Sequence, residues 1–257
     1  MFKSFGKTDI GLKRKVNQDY FAIGVVDGAS WAIVCDGLGG EKAGDVASKT
    51  ATEIISNYLK QNYRADMTFE EIKSMLIKSF NFANSKIFDM GQENIDYEGM
   101  ATTAIVSFIV GDYLHIVHVG DSRIYLINNN LVNQLTKDDS LVQALVEKGT
   151  LSEDEAKTHP KRNYLTKAVG VEKEIDVYYK SFKISSNNKI LMCTDGLYNY
   201  LDDQIILDNM NFDYLDKKQM EALTDKFIKL ALDGGASDNI TVVIMSDNYY
   251  NSESSEE

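Results

Sequence analysis

The sequence predicts an α+β fold of two antiparallel sheets flanked by helices. Three observations point there. Strand-like runs come in pairs joined by two to four residues, which suits antiparallel neighbours, because a parallel crossover takes a dozen residues or more. The helical stretches are few but long. The 257 residues contain one proline and no Gly/Ser-rich linker, so they read as one unit, large enough to bury a core without disulfides. That unit is expected over residues 1–247, and the polar, acidic 248–257 (NYYNSESSEE) is expected to be a disordered tail.

In chain order, YFAIGVV (20–26) and WAIVC (31–35) flank the turn DGAS. A glycine-rich stretch follows, then a helix expected over 45–60. Thr68 and Glu71 have capping-box spacing and open a second helix that runs to about Met90. TTAIVSFIV (102–110) and YLHIVHV (113–119) flank Gly111-Asp112, and RIYLI (123–127) and LVNQL (131–135) flank three asparagines. Ser152 and Glu155 repeat the capping-box spacing within the charged segment 137–161, where two short helices are expected. Further strands are expected at VYYKSFKI (177–184), KILMCT (189–194) and ITVVIM (240–245). Between the last two, the stretch 217–232 places Met220, Leu223, Phe227 and Leu230 on one helix face, with Gly234 and Gly235 as stops.

Composition narrows the function. Lys and Arg number 27 against 39 Asp and Glu, a net charge of −12. Such a chain repels phosphate backbones, so nucleic acid is not an expected partner. No apolar run is long enough for a membrane helix. The first residues lack the apolar core of a signal peptide. Cys35 and Cys193 form no CxxC pair, so neither a disulfide framework nor a zinc site is expected, and the expected compartment is the reducing cytoplasm.

Aspartates mark where chemistry sits. Three apolar runs lead into one: WAIVCDG (Asp36), LHIVHVGDSR (Asp121) and ILMCTDG (Asp195). Asp238 opens the strand of GASDNITVVIM, and Asp19 precedes the first pair in NQDYF. A lone Asp-Gly is most often a turn. Five carboxylates at the ends of core strands are a different matter, since like charges brought together need an offsetting cation. The surrounding motifs supply only Arg14 and Arg123. An all-oxygen donor set selects hard ions such as Mg²⁺ or Mn²⁺. The glycine stretch after Asp36 is no nucleotide loop. Gly39 to Gly44 has Walker A spacing but is followed by Asp45 and Val46 rather than Lys and Ser/Thr, and Lys42 breaks GxGxxG.

Eight stretches, in order, resemble the metal-dependent protein serine/threonine phosphatases (PPM, type 2C) in their short bacterial form. They are RKVNQD, DGLGGEKAGDVAS, GMATTAIV, VGDSRIY, LTKDDSLVQALVEKG, HPKRNYLTKAVG, CTDGL and GASDNITVVIM. The resemblance implies a four-layer α-β-β-α sandwich with a small helical flap, about 137–161, beside a cleft holding two or three Mn²⁺ or Mg²⁺ ions. Carried over by position, Asp36 bridges both ions, the Gly37 carbonyl binds one, and Asp195 and Asp238 bind the other. Asp19 acts through water, and Asp121 with Asp195 holds the third metal. Arg14 grips the phosphate. Asp139 and Ser140 belong to the flap and substrate, and Asn239 and Arg123 support the ligands from behind. Eukaryotic members often carry a histidine where Leu38 stands, so a water is expected to protonate the leaving group. The implied reaction is direct in-line hydrolysis of phosphoserine and phosphothreonine by metal-activated water, opposing a bacterial Ser/Thr kinase. The implied partners are phosphorylated proteins, the kinase and its substrates included, with the chain acting as a monomer. Two alternatives stay open: a non-catalytic phosphoprotein-binding or sensor module on the same fold, and a small-molecule phosphatase.

Overall fold

The computed structural model describes residues 1–38, 40–128, 131–185, 187–211 and 216–247; the expected tail lies outside them. The chain opens with β1 (Lys3–Asp9), β2 (Asp19–Val26) and β3 (Ala29–Leu38), followed by α1 (Gly40–Asn62) and α2 (Phe69–Glu93). Then come β4 (Ala101–Thr102), β5 (Ala104–Val110), β6 (Tyr113–Val119), β7 (Arg123–Asn128) and β8 (Leu131–Gln134). Two short helices follow, α3 (Leu141–Glu147) and α4 (Glu153–Thr158). The last part holds β9 (Tyr178–Lys183), β10 (Lys189–Cys193), α5 (Asp195–Tyr198), α6 (Asp203–Met210), α7 (Lys217–Asp233) and β11 (Ile240–Ser246).

The strands form two sheets, ordered β1-β11-β10-β7-β8 and β2-β3-β5-β6-β9, with β4 pairing β3. Every pairing is antiparallel. Two-residue alternation sorts each strand between layers. On β3, Trp31, Ile33 and Cys35 face α1 and α2, packing with Ile55, Leu59, Leu76 and Phe80. Ala32 and Val34 point the other way and meet Ile190, Met192, Val243 and Met245 of the second sheet. Leu191, Cys193, Val242 and Ile244 face Met220, Leu223, Phe227 and Ile228 of α7. The result is the expected order of layers: helices, sheet, sheet, helices.

Local chemistry accounts for most boundaries. Both expected capping boxes are present, Thr68–Glu71 at α2 and Ser152–Glu155 at α4. The turn after β2 has positive φ at Asp27 (44°) and Gly28 (84°), the pattern of a type I′ hairpin turn. Helix α7 ends as expected, with Gly234 still right-handed and Gly235 at φ 88°.

Three expectations are corrected. The helix expected from residue 45 begins at Gly40, because the glycines that argue against helix by propensity serve close packing here. A Cβ on Gly37 would sit 2.1 Å from the Gly44 carbonyl oxygen. The run 102–110 is two strands, β4 and β5, divided at Thr103. Asp195 does not end a strand; β10 stops at Cys193 and Asp195 opens the helical turn α5. Neither β1 nor α6 was expected. β1 is a half-buried edge strand (KSFGKTD) without an apolar run.

Gly196, next to Asp195, also has a packing reason. A methyl there would lie 1.9 Å from the Asn239 backbone oxygen, and backbone does not give way cheaply. Gly196→Ala is expected to cost about 1–3 kcal/mol in urea unfolding. An unchanged unfolding midpoint would contradict this account of the contact.

Candidate metal centre

The layer between the sheets is apolar along most of its length and polar at one end. On β3, Asp36 follows Ala32 and Val34 in the two-residue alternation, which turns its side chain toward that layer. Asp19, at the start of β2, is its direct cross-strand partner. Two acids placed opposite one another weaken a sheet, so packing alone does not explain the pair. From the other sheet, Thr194 and Thr241 donate their hydroxyls to Asp19 Oδ2 at 2.8 and 2.7 Å. The threonines hold one oxygen of Asp19 and leave Oδ1 buried without a partner.

A cleft of about 410 Å³ opens at this end. Asp36, Asp121, Asp195 and Asp238 line it, together with Gly37, Leu38 and Arg14. Each carboxylate arrives on a different element: Asp36 on β3, Asp121 just after β6, Asp195 at the head of α5 and Asp238 just before β11. The backbone around Asp36 is held by threonines. Its N–H donates to Thr103 Oγ1 (2.9 Å), and its carbonyl accepts from Thr102 Oγ1 and the Thr103 N–H (both 2.8 Å). Thr103 Oγ1 also lies 2.7 Å from Ser122 Oγ, joining Asp36 to the turn that carries Asp121.

Crowding shows in the acidities. Burial first, and the Asp238 carboxylate second, push Asp195 up to about 6. Burial lifts Asp19 to about 7 against the two threonine hydrogen bonds, and lifts Asp121 to about 8 with help from Asp195. Asp36 is raised well above the ordinary carboxylate value, by burial and then by Asp19 and Asp195. Such a site favours either protons or bound cations. The donors are all oxygen, and Asp19 Oδ1 and Asp195 Oδ1 are buried without protein partners. This chemistry fits Mg²⁺ or Mn²⁺, which keep part of their water shell and need few protein carboxylates each. Among the described residues, no three His, Cys, Asp or Glu side chains close into a finished cage; the site is an open, carboxylate-lined cleft.

Asp121 makes the stability of the fold depend on pH. Its ordinary value is 3.8 and its folded value about 8, so between those limits the folded chain holds a proton that the unfolded chain has lost. Stability from this group is complete below pH 3.8 and drains away as pH rises toward 8. Asparagine cannot ionise. In metal-free buffer, the Tm of Asp121→Asn minus that of the wild type should therefore grow from pH 5 to pH 8. Scanning calorimetry checks this, and a pH-independent difference contradicts it.

The remaining expected residues divide into those in the cleft and those behind it. Arg14 is in the cleft, with its Nη2 donating to Asp238 Oδ2 at 2.7 Å. Asn239 is buried. Its Oδ1 accepts the Gln18 N–H (2.8 Å) and its Nδ2 donates to the carbonyls of Ile10 (2.9 Å) and Val16 (3.1 Å). It thus pins the segment carrying Arg14 beside Asp238. Arg123 does not line the cleft. Its guanidinium grips both oxygens of Asp138, donates to the Tyr125 hydroxyl, and stacks 3.6 Å from the ring centre of Tyr198 on α5. Asp139 and Ser140 do not line the cleft either. Asp139 exchanges hydrogen bonds with Gly120 through its backbone N–H (2.9 Å) and its Oδ2 (3.0 Å), while buried Ser140 caps α3.

Cys35, Cys193, His115 and His118 do not line the cleft. Cys35 and Cys193 are free, buried in separate apolar clusters, and burial pushes both thiols up to about 12. His115 and His118 are buried on β6, and burial lowers both to about 4.

The protein phosphatase 2C model matches residues 12–231. The chain belongs to the protein phosphatase 2C family. The serine/threonine phosphatase stp of Listeria welshimeri serovar 6b is 35% identical over 243 residues, covering 94% of each chain. Among solved structures, the serine/threonine phosphatase Stp1 from Staphylococcus aureus superposes with a TM-score of 0.89 at 30% identity, over 96% of this chain and 95% of that one. The catalytic domain of the phosphatase PstP, solved in complex with two manganese ions, gives 0.80 at 28% identity, over 95% and 97%.

Several residues of this phosphatase's cleft escaped sequence reasoning. Lys13, Lys15, Asn163 and Leu165 line it beside the aspartates. Thr194 and Thr241, which clamp Asp19, are also new. Their signal was present, since Thr194 directly follows β10 and Thr241 is the second residue of β11, each where the alternation of its strand calls for an apolar residue.

Proposed function

We propose that this chain is a metal-dependent phosphatase that hydrolyses phosphoserine and phosphothreonine in proteins. What carries the reading is the pairing of Asp19 with Asp36 at the floor of a cleft lined by Asp121, Asp195 and Asp238. The family gives that costly arrangement a use.

In this reading Asp36, the Gly37 carbonyl, Asp195 and Asp238 would hold two Mn²⁺ or Mg²⁺ ions, Asp121 with Asp195 would hold a third, and Asp19 would act through water. Bound divalent cations lower the pKa of water and draw charge from phosphoryl oxygens. The protein's part is to place these groups before substrate arrives. The threonine clamps fix Asp19 and the backbone of Asp36, so little reorganisation is needed at the moment of reaction. Arg14 uses part of its donor fork on Asp238, and its remaining N–H groups face the phosphate. Neither thiol takes up phosphorus, since both are buried. Leu38 brings no proton to the departing oxygen, so that proton comes from water. The substrates include a Ser/Thr kinase of the same cell and its targets, and the site of action is the cytoplasm. No helix among the described residues is long and apolar enough to cross a membrane.

Phosphate release from a phosphothreonine peptide with Mn²⁺, set against a panel of phosphorylated metabolites, tests the reading. The peptide is expected to give the higher kcat/KM. Higher values for metabolites would point to the small-molecule phosphatase, and tight Mn²⁺ binding without any turnover would point to the binding module.

A further inference from the structure

We propose that the cleft selects phosphorylated segments with acidic side chains beside the phosphorylated residue, and that Lys13 is the residue that reads them. This rests on the phosphatase reading above and deepens it.

Three consecutive cations, Lys13, Arg14 and Lys15, line the cleft. They stand out in a chain with net charge −12, whose overall field repels an acidic peptide. Their tasks differ. The Arg14 guanidinium is engaged by Asp238 at 2.7 Å. Lys13 is exposed, and among the described residues no ion pair or hydrogen bond involves its ammonium group.

Lys13 is also held in place. The Leu12 N–H donates to the Ala236 carbonyl at 3.0 Å. On the other side, Asn239 Nδ2 holds the Val16 carbonyl at 3.1 Å. The chain is therefore anchored immediately before and soon after the lysine, and its charge is carried on a fixed rim. Asn163 and Leu165 also line the cleft, following Lys161 and Arg162 in sequence. The positive charge of Arg162 acts on Asp195. A segment with its phosphoryl group over the aspartates must pass this rim. The phosphoryl charge is met by Arg14 and the cleft floor, so Lys13 remains for a neighbouring carboxylate. A cation at the mouth sets which charges approach more than it sets total affinity.

The test uses three phosphothreonine peptides, identical except for flanking Ala, Glu or Lys on both sides. kcat/KM is measured with Mn²⁺ for the wild type, Lys13→Ala and Lys13→Glu, at low and high salt. The wild type should favour the Glu-flanked over the Lys-flanked peptide by about fivefold at low ionic strength, and salt should erase most of the difference. The ratio should approach one in Lys13→Ala and invert in Lys13→Glu. Because each enzyme is compared with itself, a change in its overall rate does not affect the ratio. Equal turnover of the three peptides by the wild type, or a ratio unchanged in Lys13→Glu, overturns the inference and leaves the phosphatase reading standing. Failure of the wild type to turn over any of the three overturns both.

Discussion

Asp36→Asn is expected to lower kcat on a phosphothreonine peptide by about 10³-fold or more, with the fold intact. Asp36 feels the charge of Asp19, Asp195, Asp121 and Asp238 alike. It pairs with Asp19 across the strands, lines the cleft with Asp121, Asp195 and Asp238, and sits between two backbone groups fixed by Thr102 and Thr103. In the proposed mechanism it is the shared ligand, so losing its charge weakens both cation positions together. Cation stabilisation of several kcal/mol corresponds to about three powers of ten in rate. The sign of the stability change separates this from simple misfolding. Asn removes a buried like charge from beside Asp19 and Asp195, so metal-free Asp36→Asn should melt no lower than the metal-free wild type at pH 8. A variant retaining near-wild-type kcat would show that the shared ligand is another residue. Loss of activity together with a lowered melting point would assign Asp36 a structural role.

Asp238→Asn is expected to cost about 10²–10³-fold in kcat/KM at limiting Mn²⁺, with part of the loss recovered at high Mn²⁺. Asparagine preserves the shape here. Its Oδ1 still accepts the Asn239 N–H, which Asp238 holds at 2.9 Å. What it loses is the charge that both the proposed cation and Arg14 use. Arg14→Ala provides the contrast. That variant leaves the carboxylate intact, so its Mn²⁺ dependence should stay close to wild type while KM for the phosphopeptide rises. Activity followed against Mn²⁺ concentration in both variants checks the pair. If Asp238→Asn shows a wild-type Mn²⁺ midpoint, Asp238 is a partner of Arg14 and not a ligand.

How far the sequence reveals this site is clearest in the Asp-Gly pairs. The dipeptide occurs at 27–28, 36–37, 195–196 and 233–234, the last simply closing α7. The first is only a hairpin turn, with both φ values positive. The second lies inside β3, and the third opens α5. The local pair of letters does not separate these cases; the apolar runs before Asp36 and Asp195, and the wider motifs, do. The layers were legible because closely joined strand pairs with a few long helices imply two antiparallel sheets covered by helices, and the family resemblance gave their order. β1 was not legible, because an edge strand half in water needs no apolar stripe. Nor was the early start of α1, where glycine's poor helix propensity is outweighed by the close approach of Gly37 and Gly44. Contacts between distant segments were the least visible: the salt bridge of Arg14 to Asp238, the threonine clamp on Asp19, and the stacking of Arg123 on Tyr198. These depend on side chains that meet only when the sheets are assembled, and no spacing rule in one dimension encodes them.

In the proposed mechanism the carboxylate cleft works only with divalent cations bound. The direct measurement strips the protein with EDTA, removes the chelator, and titrates Mn²⁺ back while recording both ion binding by calorimetry and phosphate release from a phosphothreonine peptide. No turnover is expected in the stripped protein, then turnover that rises in step with Mn²⁺ binding and fails to return in Asp36→Asn. Turnover at the full rate with all divalent metal removed would contradict it.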